Sequence, residues 1–334
     1  MSHPNNIREV AARAGVSVGT VSNVLNRPDL VSAATRERVH TAIDDLGFVR
    51  NESARQLRAG RSRTLGLVVQ SLSNPYFTDL SRGVDAIADE SGLAVILCNS
   101  DNTAAKEQRY IALLEEQRVQ GLLITPIDVS NARLAALQHR GMAVVLLDKT
   151  SRRSDLCSVC VDDVTGGDLA ASHLISTGHQ HVAYVRVSPP TRQCRDRCDG
   201  ALRAIRRAGL PDDALSIVSE PGSTVSHGQM AGQRIVAMRP RPTAVFCAND
   251  LLALGVLHAV MTAGLTVPHD VAIVGHDDIE LARSGPVPLT TVRQPRGLLG
   301  RTAAELARDE AEDLDRHEHR HVIFQPELVI RESG

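Results

Sequence analysis

From Thr64 onward, short apolar segments alternate with longer amphipathic segments along nearly the whole chain. Segments such as TLGLVVQ at 64–70 and GLLIT at 121–125 are almost continuously hydrophobic, which is typical of strands buried on both faces. Such strands, separated by helices, predict an α/β fold with a parallel sheet covered on both sides. The pattern starts over near Thr165, so we expect two doubly wound units with a cleft at the carboxyl ends of their strands.

The first fifty residues follow a different pattern. Between Ile7 and Asn26, apolar residues recur at helical spacing on either side of Gly15, which tolerates the positive φ needed to stop the first helix. Ser17 can cap a second short helix. Two short helices joined by such a turn predict a helix-turn-helix, whose second helix can enter a DNA major groove. The candidate DNA contacts here are Ser17, Val18, Gly19, Thr20, Ser22 and Asn23.

Asn23 is the strongest candidate for reading a base. Its amide can both donate to and accept from adenine, so it can bind that base through two hydrogen bonds. We therefore expect Asn23 to carry part of any sequence preference.

The segment EVAARAGVSVGTVSNVLN at 9–26 resembles the opening signature of the lactose-repressor (LacI/GalR) family of bacterial regulators. The likeness continues through a third helix, capped by Ser32 or Thr35, and extends to the last residues. The resemblance implies a headpiece at 1–50, a hinge helix or linker at 51–63, and an effector-binding and dimerisation core at 64–334. It also divides this core, of periplasmic-binding-protein type, into subdomain 1 (about 64–162 and 293–322) and subdomain 2 (about 163–292 and 323–330).

The linker NESARQLRAGRSR at 51–63 resembles the hinge helix of that family. By this resemblance Leu57 would be an apolar wedge in the minor groove, and Arg58 would neutralise a phosphate. The hinge candidates for DNA contact are Asn51, Ala54, Leu57 and Arg58. A solvated tether is the alternative interpretation.

The charge is unevenly distributed along the chain. Residues 1–63 carry ten arginines and six acidic residues, a net charge of +4, whereas the whole chain carries −2. A basic headpiece on an acidic body suits a polyanion such as DNA, although the same excess also occurs on ordinary solvated surfaces.

The candidate effector contacts are Tyr76, Phe77, Asp148, Arg197, Asn249 and Asp277. The segment Asn74–Phe77 resembles the family's NP-aromatic-aromatic loop, whose rings could stack on a sugar or staple the following helix. Arg197 stands at the family's R-x-x-G arginine, a planar group suited to diols or carboxylates. Asn249 and Asp277 match its ND and G-x-D-D positions, and Asp148 is a further carboxylate at a strand end.

Three short motifs suggest other chemistry. GVSVG at 15–19 fits G-x-S-x-G, but a nucleophile elbow must follow a strand and here a helix precedes it. HEHRH at 317–321 fits H-E-x-x-H, but VIFQP follows at once and indicates a strand instead of the helix that zinc ligation requires. Cys157 and Cys160 lack a second ligand pair, so we interpret them, like the other four cysteines, as reduced thiols. We predict no catalytic residue, no metal and no cofactor, leaving open weak metal binding by the histidines.

The resemblance thus implies a transcriptional repressor that binds a pseudo-palindromic DNA operator as a homodimer under the control of a small effector, with a sugar favoured. A purine or other non-sugar effector stays open, and so does the choice between induction and corepression. A sugar-binding carrier or enzyme on the same units would have no use for a basic headpiece. No segment approaches a membrane span and no apolar leader begins the chain, so we expect a cytoplasmic protein with no membrane partner.

Overall fold

The structure, a computed structural model, describes residues 6–48, 62–128, 132–148, 155–314 and 316–334. The chain divides into two compact units, Met1–Ser62 and Arg63–Gly334, which we call the headpiece and the core. Among the described residues, no helix is long and apolar enough to cross a membrane.

The headpiece contains helices α1 (Ile7–Ala14), α2 (Val18–Asn26) and α3 (Ala33–Leu46), with a 3-10 turn at Pro28–Leu30. Gly15 ends α1 in the left-handed region, with φ of 64°. The Ser17 hydroxyl then accepts a 3.0 Å hydrogen bond from the Thr20 backbone N–H and begins α2. The small shared core consists of Val10, Ala11, Ala14, Val21, Val24, Val39 and Ala42. The predicted helix-turn-helix is therefore confirmed.

The first sheet of the core is entirely parallel, in the order β2-β1-β3-β4-β5-β11. Its elements are β1 (Thr64–Val69), α4 (Pro75–Glu90), β2 (Ala94–Asn99), α5 (Ala104–Glu116), β3 (Gly121–Ile124), α6 (Ala132–His139), β4 (Ala143–Leu147) and β5 (Cys157–Val161), and later α12 (Arg296–Glu312) and β11 (His321–Phe324). Hydrophobic clusters cover both faces, as a buried parallel sheet requires.

The second sheet repeats this order as β7-β6-β8-β9-β10-β12, with only β12 antiparallel. Its elements are α7 (Asp163–Ser176), β6 (Val182–Val187), α8 (Arg192–Arg207), β7 (Leu215–Glu220), α9 (Val225–Ala237), β8 (Ala244–Cys247), α10 (Asp250–Thr262), β9 (Ala272–Asp277), α11 (Glu280–Ser284), β10 (Thr290–Arg293) and β12 (Glu327–Val329), with a 3-10 turn at Asp212–Ala214. The α/β class and the two doubly wound units are confirmed.

The chain crosses between the sheets after β5, after β10 and after β11. The first and third crossings are joined by a 3.0 Å hydrogen bond from the Asp162 backbone N–H to the Phe324 carbonyl. Asp162 also accepts a hydrogen bond from the Thr165 backbone N–H and begins α7. This cap stabilises the start of α7 because it satisfies a free N–H of the first turn. The last strand of the first sheet runs to Phe324, beyond the predicted end of subdomain 1 at about 322. Residues 51–61 of the predicted hinge at 51–63 lie outside the described residues.

Candidate functional site

A pocket lies at the carboxyl ends of the strands, lined by residues from both halves of the core. It contains about 700 Å³ of empty space, a figure that includes the part open to solvent. All the predicted effector contacts line it, namely Tyr76, Phe77, Asp148, Arg197, Asn249 and Asp277. Strand ends far apart in sequence therefore converge as the doubly wound topology predicts.

Arg197 is held by a buried ion pair. Its Nε donates a 2.7 Å hydrogen bond to Asp163, and another guanidinium nitrogen donates to the Ala248 carbonyl. The backbones of α7 and α8 approach closely here, because a Cβ on Gly200 would lie 1.9 Å from the Val164 carbonyl oxygen. Only glycine permits that approach, which brings Arg197 on α8 to Asp163 on α7. The guanidinium thus presents a fixed positive charge to the pocket.

Asp277 connects the two sides of the pocket. Its carboxylate accepts a 2.7 Å hydrogen bond from Gln294 on the crossing after β10, and a 3.3 Å bond from Asn74 of the other half. Arg296 donates to the Asp277 backbone carbonyl and pairs with Asp79 at 3.1 Å. A ligand that replaces or reinforces these contacts would act directly on the relation between the two halves.

The backbone at this strand end is strained, with φ of 113° at Asp277 and 53° at Asp278. Such conformations persist where surrounding contacts over-determine them. The buried Asp278 carboxylate accepts from Arg283, Arg293 and Arg331. Burial acts to raise the pKa of Asp278, but these guanidinium groups together outweigh it and hold the pKa below its usual range. This network fixes the turn that aims Asp277 into the pocket.

The opposite wall has a different character. The Tyr76 hydroxyl donates to the Asp148 carboxyl, and the Tyr76 and Phe77 rings meet edge to face with centroids 5.0 Å apart. Removal from water raises the pKa of Asp148 to about 7, an effect that the Tyr76 hydrogen bond partly opposes. Both rings are buried in the core of the first half and also line the pocket.

Asn249 serves as a helix cap as well as a pocket residue. Its carbonyl oxygen accepts from the Leu252 backbone N–H at 2.9 Å, and its amide nitrogen donates to the Ser223 carbonyl at 3.2 Å. In contrast, the buried Gln193 side-chain oxygen has no hydrogen-bond partner in the structure, although the residue lines the pocket. An unsatisfied buried acceptor is costly, so Gln193 is ready to receive a donor from a ligand.

Sequence reasoning missed several pocket residues. They lie at or shortly after the carboxyl ends of strands, in loops or at the start of the next helix: Gln70, Ser71, Asn102, Asp163, Val187, Thr191, Gln193, Ser223, Ala248 and Gln294. The signal that could have found them is position, since ligands of doubly wound sheets bind at these strand ends.

Comparison with known proteins identifies the chain. The model of bacterial regulatory proteins of the lacI family matches residues 6–51, and the periplasmic binding protein-like domain matches residues 171–334. The HTH-type transcriptional repressor PurR of Photobacterium profundum is 34% identical over 328 residues, covering 98% of both chains. The chain belongs to the lacI family of bacterial regulatory proteins. It is therefore a DNA-binding transcriptional regulator with an effector-binding core.

Solved structures extend the family likeness over the full chain. The lac repressor dimer bound to operator and the anti-inducer ONPF is 27% identical with a TM-score of 0.85, and covers 99% of both chains. The transcriptional regulator CelR in complex with cellobiose is 30% identical with a TM-score of 0.73, and covers 99% of this chain and 100% of that one.

The headpiece of this lacI-family chain presents most of its predicted DNA contacts to solvent. Val18, Gly19 and Asn23 are exposed on α2, and so is the cap Ser17, whereas Thr20 and Ser22 are half-buried. GVSVG spans the turn between α1 and α2, as predicted, and does not follow a strand. The remaining candidates lie outside the described residues: Asn51, Ala54, Leu57 and Arg58.

Proposed function

We propose that this lacI-family protein is a repressor that binds a pseudo-palindromic operator as a homodimer. A small ligand in the core pocket changes its operator affinity. The observation that carries the proposal is the composition of the pocket, whose Asp277 accepts from Asn74 across the two halves of one core. Ligand and operator can be coupled only if the ligand prefers one arrangement of these halves.

The proposed DNA surface is the exposed side of α2, with Asn23 as base reader. Two copies related by a twofold axis would match two half-sites, as in the lac repressor dimer bound to operator. Leu57 remains the proposed minor-groove wedge. Because DNA is the target, we infer that the protein works in the cytoplasm and that it catalyses no reaction.

A sugar is the favoured effector. The carboxylates of Asp148 and Asp277 and the free acceptor of Gln193 suit hydroxyl donors, and CelR, a relative in the same fold, was solved with cellobiose. A purine is the second candidate, because the side-chain amides of Asn74 and Gln193 can pair with a base edge as well.

A thermal-shift screen of the full chain against ribose, cellobiose, sugar phosphates and purines tests the effector class. We expect one class to raise Tm and then to change operator Kd by about 5- to 150-fold, the usual range of allosteric coupling. A compound that raises Tm with no change in operator Kd would contradict coupling between the sites.

Selection of DNA sequences by the full chain provides the operator and tests Asn23. The substitution Asn23→Ala should weaken binding by about 1 to 3 kcal/mol and relax preference at one symmetric pair of positions. His40→Ala, at an exposed residue of α3, is the matched control. An unchanged base preference in Asn23→Ala would remove its reading role.

Titrations on operator and on random DNA test the wedge. Leu57→Ala should reduce operator affinity by about a few kcal/mol, since the cost of unstacking a base step is no longer offset. Equal losses on operator and random DNA would show that Leu57 contributes nothing specific.

A further inference from the structure

Four metal-ligating side chains meet at the edge of the first half of the core. They are Cys157 at the start of β5, Glu310 in the last turn of α12, and His317 and His319 in the segment before β11. One ligand atom from each lies within 4.8 Å of the others. The Cys157 sulfur is 3.1 Å from Nε2 of His317 and 3.7 Å from Nδ1 of His319.

Glu310 is the member that requires an explanation. It is fully buried, and neither carboxylate oxygen has a hydrogen-bond partner in the structure. Burial raises the pKa of Glu310 to about 7, and the nearby Val144 backbone N–H opposes this effect without reaching hydrogen-bond geometry. A buried acid without a partner is costly, and a bound cation would satisfy both oxygens.

We propose that these four side chains bind one zinc ion. One thiolate, one carboxylate and two neutral imidazoles form a four-coordinate donor set of the kind zinc prefers. The two anionic ligands cancel the charge of the ion, which suits a site with two fully buried members. Zinc bonds of about 2.0 to 2.3 Å place tetrahedral ligand atoms about 3.3 to 3.8 Å apart. The Cys157 and His317 ligand atoms, at 3.1 Å, would therefore separate slightly, and any pair near the 4.8 Å limit would approach by about 1 Å.

The donor set combines residues from motifs that the sequence had treated separately. Residues 316–320 form no helix, so the ligands expected for an H-E-x-x-H site, His317 and His321, are not paired as in such enzymes; His321 instead contacts Ser158 at 2.8 Å. Cys160 is three residues from Cys157 along β5, so the two thiols point to opposite faces of the strand. The cluster therefore takes two ligands from the HEHRH segment and one from the Cys157/Cys160 pair, and adds Glu310.

The ion would join α12 to the beginnings of β5 and β11. The effector pocket lies at the carboxyl ends of the strands, so the two sites do not overlap. Both β5 and β11 continue into crossings between the sheets. A bound zinc would brace the first half of the core at the strands from which two crossings leave.

The test uses the full chain, freed of metal by chelation and carrying no affinity tag. We expect competition with a chromophoric chelator to give one Zn²⁺ per chain, with affinity lowered at least about tenfold by Glu310→Gln and by His319→Ala. Cobalt substitution should give a sulfur-to-cobalt charge-transfer band that Cys157→Ser removes. The control variants Cys160→Ser and His321→Ala should keep both the affinity and the band.

Thermal unfolding distinguishes a variant that has lost the zinc site from one that has lost its fold. Metal-free Glu310→Gln loses a buried acid and should have a Tm at least as high as that of the parent, yet Zn²⁺ should no longer raise it. An absent cobalt–sulfur band, a stoichiometry other than one, or equal Zn²⁺ affinity in cluster and control variants would each overturn the site and indicate adventitious binding only.

Discussion

The two halves of the core share one strand order but face the pocket with different chemistry. The second half contributes a permanent ion pair, Arg197 with Asp163 at 2.7 Å. The first half contributes Asp148, which accepts from Tyr76 and has its pKa raised to about 7 by removal from water. Two halves of similar topology thus both contribute polar groups to the pocket, while the local partners decide whether each group is charged.

This difference predicts how each wall responds to mutation and to pH. A fixed ion pair gains its strength from both partners, so breaking it leaves a buried charge. A carboxyl near neutrality costs less to bury, but its charge depends on the medium. We therefore expect the second half to control stability and the first half to control the pH response.

The largest expected effect is that of Arg197→Met. It leaves Asp163 buried without its partner and should lower the free energy of unfolding by about 3 to 5 kcal/mol in urea titrations. The double variant Arg197→Met/Asp163→Asn should recover most of that loss. If the single variant lowered the free energy of unfolding by less than about 1 kcal/mol, Arg197 and Asp163 would not form a permanently charged buried pair.

The next effect tests whether the two halves pack their helices alike. A Cβ on Gly300 of α12 would lie 2.1 Å from the Leu80 carbonyl oxygen, and one on Gly200 would lie 1.9 Å from that of Val164. Alanine at either position should lower the free energy of unfolding by about 1 to 3 kcal/mol.

Gly297 is the control on the same helix α12, because a Cβ there meets nothing within 4 Å. Gly297→Ala should leave stability unchanged or raise it by up to about 1 kcal/mol, since alanine favours a helix. Equal losses at Gly297 and Gly300 would rule out close packing as the cause.

Effector affinity should depend on pH through Asp148. Hydroxyl donors of a bound sugar favour the ionised carboxylate, so binding should tighten about tenfold between pH 6 and pH 8, about 1.4 kcal/mol. The charges that act on Asp148 from its surroundings are Asp163, Arg197 and Asp277. Asp148→Asn should flatten the profile in calorimetric titrations, and a slope unchanged by this variant would assign the titration to another group.

The raised pKa of Asp148 also makes the free energy of unfolding depend on pH. The unfolded chain ionises Asp148 near its ordinary value of 3.8, whereas the folded chain keeps the proton up to about pH 7. The contribution of Asp148 to stability is therefore largest below the unfolded pKa and falls as pH rises toward 7. Asp148→Asn should remove this part of the pH dependence.

The smallest expected effect is that of Tyr76→Phe. Loss of one hydrogen bond should lower the free energy of unfolding by about 0.5 to 1.5 kcal/mol. Because the Tyr76 hydroxyl favours ionised Asp148, its removal should move the midpoint of the affinity profile to higher pH. A midpoint that moves to lower pH would contradict the direction of that hydrogen bond.

The sequence by itself determined the local elements and the class of fold. Gly15 and Ser17 specify the turn of the helix-turn-helix through a positive φ and a capping hydrogen bond, both of which involve neighbouring residues. Continuous apolar strands separated by amphipathic helices indicate parallel sheets covered on both faces, and the restart of this pattern near Thr165 indicates two such units. The resemblance to the lactose-repressor family then selected Tyr76, Arg197 and Asp277 as candidate pocket residues.

Only the tertiary structure decided which groups meet. Asn74 and Asp277 are 203 residues apart yet share a hydrogen bond, and Cys157 approaches His317 from 160 residues away. No periodicity or spacing encodes such pairs, since the crossings between the sheets and the close packing of helices bring them together. The sequence could not predict the protonation state of Asp148, the ion-pair partner of Arg197 or the lack of hydrogen-bond partners at the Glu310 carboxylate. Each of these depends on burial by residues remote in sequence.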